Sequence, residues 1–92
     1  MNDVFKALAD PTRREILELL KARPRTSGEI AEAFPSSWPT ISRHLAVLRD
    51  AGLIIATREG QFIRYELNTS VVQDLVQHVL GWVGKGGGRR VS

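Results

Sequence analysis

The stretch from Ser37 to Gly52 carries the side chains that are best suited to chemistry, and that chemistry is recognition. The hydroxyl side chains of Thr40 and Ser42 are short enough to let a helix backbone come close to a ligand. The guanidinium fork of Arg43 matches the two acceptors on the edge of a guanine. This pattern is typical of a helix that enters the major groove of DNA. An ordinary solvated helix face with one arginine would show the same residues, so this stretch alone leaves both interpretations open.

The sequence marks both ends of a helix that would position these side chains. Ser37 is a favourable N-cap, since its hydroxyl can accept from a backbone N–H group of the first turn. Pro39 is tolerated in that turn, and Gly52 suits the left-handed conformation that closes a helix. Three apolar residues recur at the helical period and predict an inward face: Ile41, Leu45 and Leu48. The residues predicted to face outward are Pro39, Arg43, Ala46 and Asp50.

The composition predicts one small domain that gains from association. The chain has 92 residues, a formal net charge of +3 and no cysteine. A single core of this size leaves a thin margin of stability. Neither a disulfide nor a thiolate metal site can add to that margin, so we expect a second chain to do so. The positive charge weakly favours an acidic partner such as nucleic acid.

The hydropathy pattern predicts a cytoplasmic protein with no membrane insertion. No apolar run approaches the length of a membrane span, about 18 residues, and the N-terminus lacks the apolar segment of a signal peptide. Asn68-Thr69-Ser70 matches the acceptor pattern for N-glycosylation. In such a chain we expect this tripeptide instead to end a strand and cap a helix.

The residues before the central stretch predict three short helices. Residues 2–8 form an amphipathic segment that is too short to be stable unless it docks on another element. Asp10 and Pro11 begin a second helix, which ends before Pro24. Thr26 and Glu29 form a capping box that opens the third helix. This helix and the central one, joined by a tight turn, predict a helix-turn-helix, although an ordinary antiparallel helix pair would read similarly.

A β-hairpin is predicted directly after the central helix. Residues 53–58 are rich in strand formers, residues 59–61 form a short turn, and residues 62–67 alternate between apolar and polar. A hairpin at this place is typical of a wing beside a helix-turn-helix. Arg58 and Arg64 near its tip could reach phosphates or a narrow minor groove. The alternative is that the two arginines only protect edge strands from pairing.

The last predicted helix is more apolar than one core contact requires. Ser70 and Gln73 predict a capping box at its start, and the helix is expected to end near Val83. We therefore expect one side of it to meet a partner chain, together with the first helix. The predicted dimer surface consists of Val4, Phe5, Leu8, Val72, Leu75, Val76, Val79 and Trp82. The chain is accordingly divided into a domain of residues 1–83 and a flexible Gly/Arg tail of residues 84–92.

Several segments resemble the ArsR family of bacterial winged-helix repressors. These segments are residues 5–17, Glu29-Ile30-Ala31, residues 37–54 with their Thr-Ile-Ser-Arg-His-Leu run, and residues 60–68. The resemblance covers about residues 3 to 83 in the right order and spacing. It implies a mainly α fold with a small β-hairpin, a winged helix-turn-helix with the hairpin between the fourth and fifth helices. It also implies a homodimer that binds a pseudo-palindromic operator on double-stranded DNA through helix 37–51 and wing 53–67.

The expected DNA-contacting residues follow from this resemblance together with the wing. They are Ser37, Trp38, Thr40, Ser42, Arg43, His44, Arg58, Gln61 and Arg64. His44 stays ambiguous, because it sits beside the inward face of its helix. A structural hydrogen bond suits it as well as a phosphate contact does.

The chain departs from the metal-sensing members of the family. Many of those sense metals through paired cysteines, which are absent here. Asp74 and His78, one turn apart on the last helix, are the remaining candidates for zinc ligands across a dimer axis. The alternative for them is an exposed helical ion pair. No cofactor is expected. The resemblance is to the short, cysteine-free autorepressor type, which implies that a membrane-bound sequestering protein is a candidate partner.

Two other classes of function were weighed against a DNA-binding regulator. A winged-helix protein-interaction module would carry bulky apolar residues on the central helix; Trp38 favours it, while Arg43, Arg58 and Arg64 disfavour it. An enzyme is not expected. The chain has no cysteine nucleophile, no Gly-rich phosphate loop and no carboxylate pair with a plausible cleft, and its two histidines fall on separate helices without a triad.

Overall fold

The structure of the protein, a computed structural model, describes the backbone of residues 2–91 and the side chains of residues 3–81. Within these residues the chain forms five helices and three strands. In chain order they are α1 (Asn2–Leu8), α2 (Pro11–Ala22), β1 (Arg25–Thr26), α3 (Ser27–Ala33), α4 (Trp38–Asp50), β2 (Ile54–Glu59), β3 (Phe62–Leu67) and α5 (Thr69–Val91). The predicted winged helix-turn-helix is confirmed, with α3 and α4 as the helix pair and β2–β3 as the wing.

Helix α2 begins where the sequence predicts, at the Asp10-Pro11 pair. The Asp10 carboxylate accepts hydrogen bonds from the backbone N–H groups of Thr12 at 2.8 Å and Arg13 at 3.2 Å. Desolvation acts to raise the pKa of this carboxyl group. The hydrogen bonds from Arg13 and Thr12 outweigh it, so the pKa of Asp10 lies below its usual value.

Helix α3 begins with the predicted capping box. The backbone N–H of Glu29 donates to the Thr26 hydroxyl at 3.2 Å, and the backbone N–H of Thr26 donates to the Glu29 carboxylate at 2.8 Å. This second hydrogen bond lowers the pKa of the Glu29 carboxyl group, despite some desolvation and with help from the charge of Arg23. Two otherwise unpaired N–H groups at the helix start are thereby satisfied.

The wing is an antiparallel hairpin to which a short third strand is added. Glu59 lies opposite Phe62, so the turn consists of Gly60 and Gln61, and Gly60 adopts the positive φ of 63° that such a turn requires. Strand β1 pairs with β3, which gives the order β1-β3-β2 for the sheet within residues 2–91. Strand β1 was not predicted, because two residues are too short to show an alternating pattern.

The core gathers residues from every element except β1 and α5. Among the described side chains it comprises Val4, Ala7, Ile16, Leu20, Ile30, Ile41, Leu45, Leu48, Leu53, Ile54 and Tyr65. Helix α1 docks through Val4 and Ala7, whereas Phe5 is 42% exposed. The sequence placed Val4, Phe5 and Leu8 on one apolar side and did not select Ala7. The small Ala7 side chain allows α1 to approach closely, and its burial turns Phe5 towards solvent.

Helix α5 differs from its prediction at both ends. The backbone N–H of Val71 donates to the Asn68 side chain at 3.4 Å and that of Val72 to the Asn68 carbonyl at 3.1 Å. Asn68 therefore caps the helix, as expected for the Asn-Thr-Ser tripeptide. The predicted capping box of Ser70 and Gln73 is wrong, because Ser70 already lies inside the helix.

The far end of α5 extends to Val91, beyond the predicted end near Val83. The sequence has no proline after Pro39, and glycine can adopt helical torsion angles although it is a poor helix former. The side chains of residues 82–91 lie outside the described residues, so the division of the chain into a domain and a Gly/Arg tail stays a prediction. Within the described residues, no helix is both long enough and apolar enough to cross a membrane.

The two capping carboxylates lead to a prediction about acid stability. The usual pKa values are 3.8 for Asp10 and 4.5 for Glu29, and both are lowered in the folded protein. Their contribution to stability is complete above these values and is lost as the pH falls through the folded-state pKa. In urea unfolding followed by circular dichroism, we expect the free energy of unfolding to decline from about pH 5 to about pH 3.

The Glu29→Gln variant should show a shallower decline over the same range. Its amide oxygen can still accept from the Thr26 N–H group but cannot be protonated. Glu32→Gln is the matched control, because Glu32 is an exposed carboxylate of the same helix. Identical pH dependence of the wild type and Glu29→Gln would contradict the prediction.

Candidate nucleic-acid interface

Helix α4 is held in the molecule by one face and offers the opposite face to solvent. Ile41 and Leu48 are fully buried, and Leu45 is 2% exposed. Ser42 and Arg43, which lie between them along the chain, are exposed. The predicted division of this helix into an inward and an outward face is therefore confirmed. Burial of three large apolar side chains fixes the rotation of the helix about its axis, and hence the direction of Arg43.

The N-terminus of α4 differs in detail from the prediction. Ser37 is the N-cap residue, and its carbonyl accepts from the Ile41 N–H group at 3.0 Å. Its side chain, however, makes no capping hydrogen bond within the described part of the chain. The Ser37 hydroxyl lies 3.1 Å from the hydroxyl of Thr40 instead. The predicted side-chain cap is wrong, because the Thr40 hydroxyl one turn further on takes its place as partner.

The C-terminus of α4 connects the helix rigidly to the wing. Gly52 has a φ of 79°, as predicted. Its N–H group donates to the Arg49 carbonyl at 2.9 Å, and the N–H group of Leu53 donates to the Leu48 carbonyl at 3.0 Å. This pair of hydrogen bonds is the Schellman motif. It sends the chain directly into β2, so the helix and the hairpin are separated by one tight, hydrogen-bonded turn.

His44 is a buried residue that supports α4 from within the protein. It is 8% exposed, and its Nδ1 atom lies 3.3 Å from Nη1 of Arg13. A guanidinium group has no acceptor, so Arg13 must be the donor and Nδ1 the acceptor. His44 was included among the expected DNA contacts. Burial against Arg13 favours the structural role that the sequence left open, and the DNA contact of His44 stays a prediction.

Arg13 also holds the end of α1. Its Nε donates to the Ala7 carbonyl at 2.7 Å and its Nη2 to the Lys6 carbonyl at 3.1 Å. Arg14 adds a hydrogen bond from Nη1 to the Leu8 carbonyl at 2.7 Å. Sequence reasoning gave these arginines no role outside the family resemblance. The available signal was their position in the first turn of α2, where the helix dipole disfavours positive charge.

The two predicted arginines of the wing lie on opposite faces of the hairpin. Arg58 is opposite Ile63 and shares the face of Tyr65, whereas Arg64 is opposite Thr57 on the other face. Both arginines are exposed. Nη1 of Arg64 lies 3.5 Å from Oε2 of Glu59, and both side chains are about half exposed, so this ion pair is weak. Cationic groups are therefore available on both sides of the wing.

The remaining predicted contact residues lie near the ends of these two elements. Trp38, in the first turn of α4, is 47% exposed, and Gln61 is exposed in the hairpin turn. Thr40 is half-buried. Phe62, next to the turn, is 56% exposed and was not selected from the sequence. Its alternation with Arg64 already indicated an outward position.

Some residues of the predicted dimer surface are exposed on the single chain, and others are buried or half-buried. Val4 is a core residue with 7% exposure and has little surface left for a partner. The exposed residues of the set are Phe5, Val76 and Val79, and Leu80 adds further exposed apolar surface. Three half-buried residues line an apolar groove of about 270 Å³ between α2 and α5: Leu8, Val72 and Leu75. The side chain of Trp82 lies outside the described residues.

The candidate zinc ligands are exposed residues of α5. Asp74 and His78 lie one turn apart on this helix. Within the described residues, no three side chains of His, Cys, Asp or Glu come together as a metal site. A zinc site built from two residues of each chain would need two copies, so the pair stays a prediction.

The arrangement as a whole defines a class of protein. A helix-turn-helix with an exposed, cationic second helix, followed by a hairpin with arginines on both faces, is a winged helix-turn-helix of the DNA-binding type. Comparison with known proteins supports this class. A family model described as bacterial regulatory protein, arsR family, matches residues 10–56.

Individual relatives match this chain over most of its length. The transcriptional repressor SdpR of Bacillus subtilis (strain 168) is 54% identical over 86 residues, which is 94% of this chain and 96% of that protein. A probable mercury resistance operon repressor of Streptomyces lividans is 43% identical over 72 residues, 78% of this chain and 58% of that protein. The solved structure of an ArsR-like transcriptional regulator from Rhodococcus sp. RHA1 superimposes with a TM-score of 0.82 at 31% identity, covering 98% of this chain and 84% of that one.

The chain belongs to the arsR family of bacterial regulatory proteins, and it is a DNA-binding transcriptional regulator. The resemblance noted in the sequence is thereby confirmed.

The hydrogen bonds of Arg13 lead to a prediction about stability. Arg13→Met keeps much of the aliphatic volume but removes every donor, which leaves Ala7, Lys6 and His44 without their partner. We expect a loss of roughly 2 kcal/mol in the free energy of unfolding, measured by urea denaturation. Lys21→Met, an exposed change in the same helix, should cost less than about 0.5 kcal/mol. Equal losses in the two variants would show that the link from α1 to α4 contributes nothing.

Proposed function

We propose that the protein is a homodimeric transcriptional repressor that binds a pseudo-palindromic operator on double-stranded DNA. The observation that carries the proposal is the outward, exposed position of Ser42 and Arg43 on a helix whose other face is fully buried. The relative SdpR is named a transcriptional repressor, which supports the direction of regulation. Such a protein acts on DNA in the bacterial cytoplasm, and the proposal gives the chain no catalytic role.

Helix α4 reads bases in the major groove. Arg43 donates to the O6 and N7 acceptors of a guanine, and the short side chain of Ser42 lets the helix approach the base edges. Ser37 and Thr40 lie at the N-terminal end, where a recognition helix meets the bases and the flanking phosphates. Trp38 supplies an apolar surface at the same end, suited to the methyl group of a thymine.

The wing positions the protein on the sugar-phosphate backbone. Arg58 and Arg64 leave the hairpin on opposite faces, so a wing placed along a minor groove presents one cation to each of its two strands. Gln61 lies exposed in the turn at the tip of the wing. These contacts fix the register of α4 but do not themselves select a base sequence.

The dimer forms through the apolar surfaces of α1 and α5. Phe5 on α1 and three residues on α5 are 38–55% exposed in the single chain: Val76, Val79 and Leu80. Exposed apolar residues grouped on peripheral helices are typical of an interface. A two-fold axis between the copies would place two α4 helices about 34 Å apart, one turn of DNA.

The signal that releases the operator is a separate part of the proposal. The chain lacks the cysteines of many metal-sensing relatives, so a sequestering protein is the proposed partner. A zinc response through Asp74 and His78 is the competing proposal. Selection of bound fragments from a random duplex pool, with and without zinc, tests both the operator and the metal. Enrichment of the same palindrome in both conditions would exclude zinc control of binding.

A mobility-shift experiment tests the competing class of function. The exposure of Trp38 favours a winged-helix protein-interaction module. A regulator that contacts phosphates must bind duplex DNA with a steep dependence on salt. Mobility shifts at two salt concentrations should show that dependence, and absent or salt-insensitive binding would favour the interaction module.

Arg43 should determine specificity rather than overall affinity. Arg43→Ala should lose roughly 1–3 kcal/mol of binding free energy for the selected operator and little for random duplex DNA, because the lost contact is to a base. Fluorescence anisotropy with both duplexes measures the two values. Arg49→Ala, six residues further along the same helix, is the control. Equal losses on operator and random DNA would assign Arg43 to phosphate instead.

The apolar face of α5 should determine the oligomeric state. Val76→Asp places a charge in the proposed interface, so the dimer dissociation constant should rise at least about tenfold. Gln77→Asp introduces the same charge at a neighbouring exposed position and should have a smaller effect. Sedimentation at several concentrations measures both. A wild-type chain that stays monomeric at all concentrations would contradict the dimer and the operator geometry that depends on it.

A further inference from the structure

The tip of the wing projects beyond the core of the protein. Tyr65, opposite Ala56, is the described core residue of the hairpin that lies nearest to the turn. Three further pairs of residues follow it towards the turn, and all of these residues except the half-buried Ile63 are exposed. At a rise of about 3.3 Å per residue, the last of these pairs lies about 10 Å beyond Tyr65. The core therefore does not cover the tip.

Phe62 is the aromatic residue of this tip. It is 56% exposed, more than any other large hydrophobic side chain that the structure describes. The residue directly opposite is Glu59, whose carboxylate lies 3.5 Å from the guanidinium group of Arg64. Aromatic residues stabilise a hairpin when they meet an aromatic or β-branched side chain across the strands. Pairing within the hairpin therefore does not account for an aromatic ring at this position.

Phe62 and Arg64 leave the hairpin on the same face. They are two residues apart on β3, and side chains with this spacing point to the same side of a strand. Arg58, opposite Ile63, leaves on the other face. The tip thus combines an exposed ring and a cation on one face with a second cation on the other. Such a combination fits a surface on which apolar rings lie between rows of anions.

We propose that Phe62 enters the minor groove of DNA and lies against the deoxyribose rings of the strand that Arg64 contacts. Apolar side chains of minor-groove proteins make contacts of this kind. A G·C pair places the 2-amino group of guanine in the minor groove, whereas an A·T pair leaves the groove floor free. The ring therefore enters more deeply over A·T pairs, and Phe62 gives the wing a preference for them.

This inference rests on the proposed function, in which the wing lies along a minor groove. It adds a sequence preference to an element whose arginines select no base. An exposed ring on a projecting hairpin also suits a protein surface. The cations on both faces of the tip and the net charge of +3 favour a polyanion as the partner, and hence DNA.

Removal of the ring should weaken DNA binding without changing its dependence on salt. Phe62→Thr keeps a side chain that favours strands and removes the apolar contact. The affinity for the selected operator should fall about three- to tenfold. The slope of log affinity against log salt should stay the same, because no charge is removed.

Ile55→Thr is the matched control. Ile55 lies on the same outer face of the hairpin as Phe62 and is 42% exposed. It is four residues from the last pair of the tip, a distance of about 13 Å along the strand. Its replacement should leave the affinity within about twofold of the wild type. Arg64→Gln provides the contrast, since it should lower the salt slope by about one and leave the A·T preference unchanged.

The A·T preference is measured with variants of the selected operator. The base pairs under the wing are found by hydroxyl-radical footprinting and are made as A·T, G·C or inosine·cytosine. The wild type should bind the A·T form about three- to tenfold more tightly than the G·C form. Inosine·cytosine lacks the 2-amino group but keeps the major-groove edge of G·C, so it should restore the affinity of the A·T form. The three forms should differ less than about twofold for Phe62→Thr.

A measurement on the wild-type chain decides the inference if Phe62→Thr fails to fold, as judged by circular dichroism. Nuclear Overhauser effects are recorded between the phenylalanine rings and the sugar protons of the A·T operator. We expect them for Phe62. Phe5, 42% exposed on α1, is the internal control and should show none.

The possible negative results separate this inference from the proposed function. If the wild type binds no duplex, both fail. If it binds the operator but Phe62→Thr has the same affinity and the same A·T preference, only the inference fails, and a protein surface is favoured as the partner of the ring. A salt slope that falls in Phe62→Thr, or a Phe62 ring without Overhauser effects to the sugars, would also overturn the inference.

Discussion

The burial of one face of α4 is the constraint on which the rest of the structure depends. Ile41, Leu45 and Leu48 occupy the centre of the core, so the helix cannot rotate or slide without opening cavities among its neighbours. Surface helices that read DNA must keep their side chains in a fixed direction. Here the direction of Arg43 is fixed by apolar packing on the far side of the same helix. The residues that stabilise this helix and the residues proposed to give specificity are thus different residues of one element.

The hydrogen bonds of Arg13 complement the apolar packing of α4. Arg13 donates to the last carbonyl groups of α1 and to the buried ring of His44 on α4. The helix that contributes to the proposed dimer surface and the helix proposed to read DNA therefore share one guanidinium group. A shift of α1 would reach His44 through the hydrogen bonds of Arg13 as well as through the core contacts of Val4 and Ala7. The two surfaces of the proposed function are thus joined by hydrogen bonds within one chain.

Features encoded by short spacings were predictable, and features set by tertiary contacts were not. The N-cap at Asp10 and the left-handed Gly60 follow from residues close together in the sequence, and both are present. The burial of His44, the exposure of Phe5 and the strand pairing of Arg25 depend on partners far along the chain. A pattern of hydrophobic residues shows that a helix has an inner side, but a residue at the border of that side is assigned by its neighbours. The outward direction of Arg43 was predictable, because this residue lies in the middle of the outer face of its helix.

The Schellman turn at Gly52 has a consequence for how such regulators diversify. The turn is closed by backbone hydrogen bonds and by one glycine, so no side chain on the outer surface of α4 or of the hairpin takes part in it. The relative placement of α4 and the hairpin is consequently independent of the outer side chains that are proposed to contact DNA. New target sequences can evolve by single substitutions of those amino acids, while the angle between α4 and the hairpin stays unchanged.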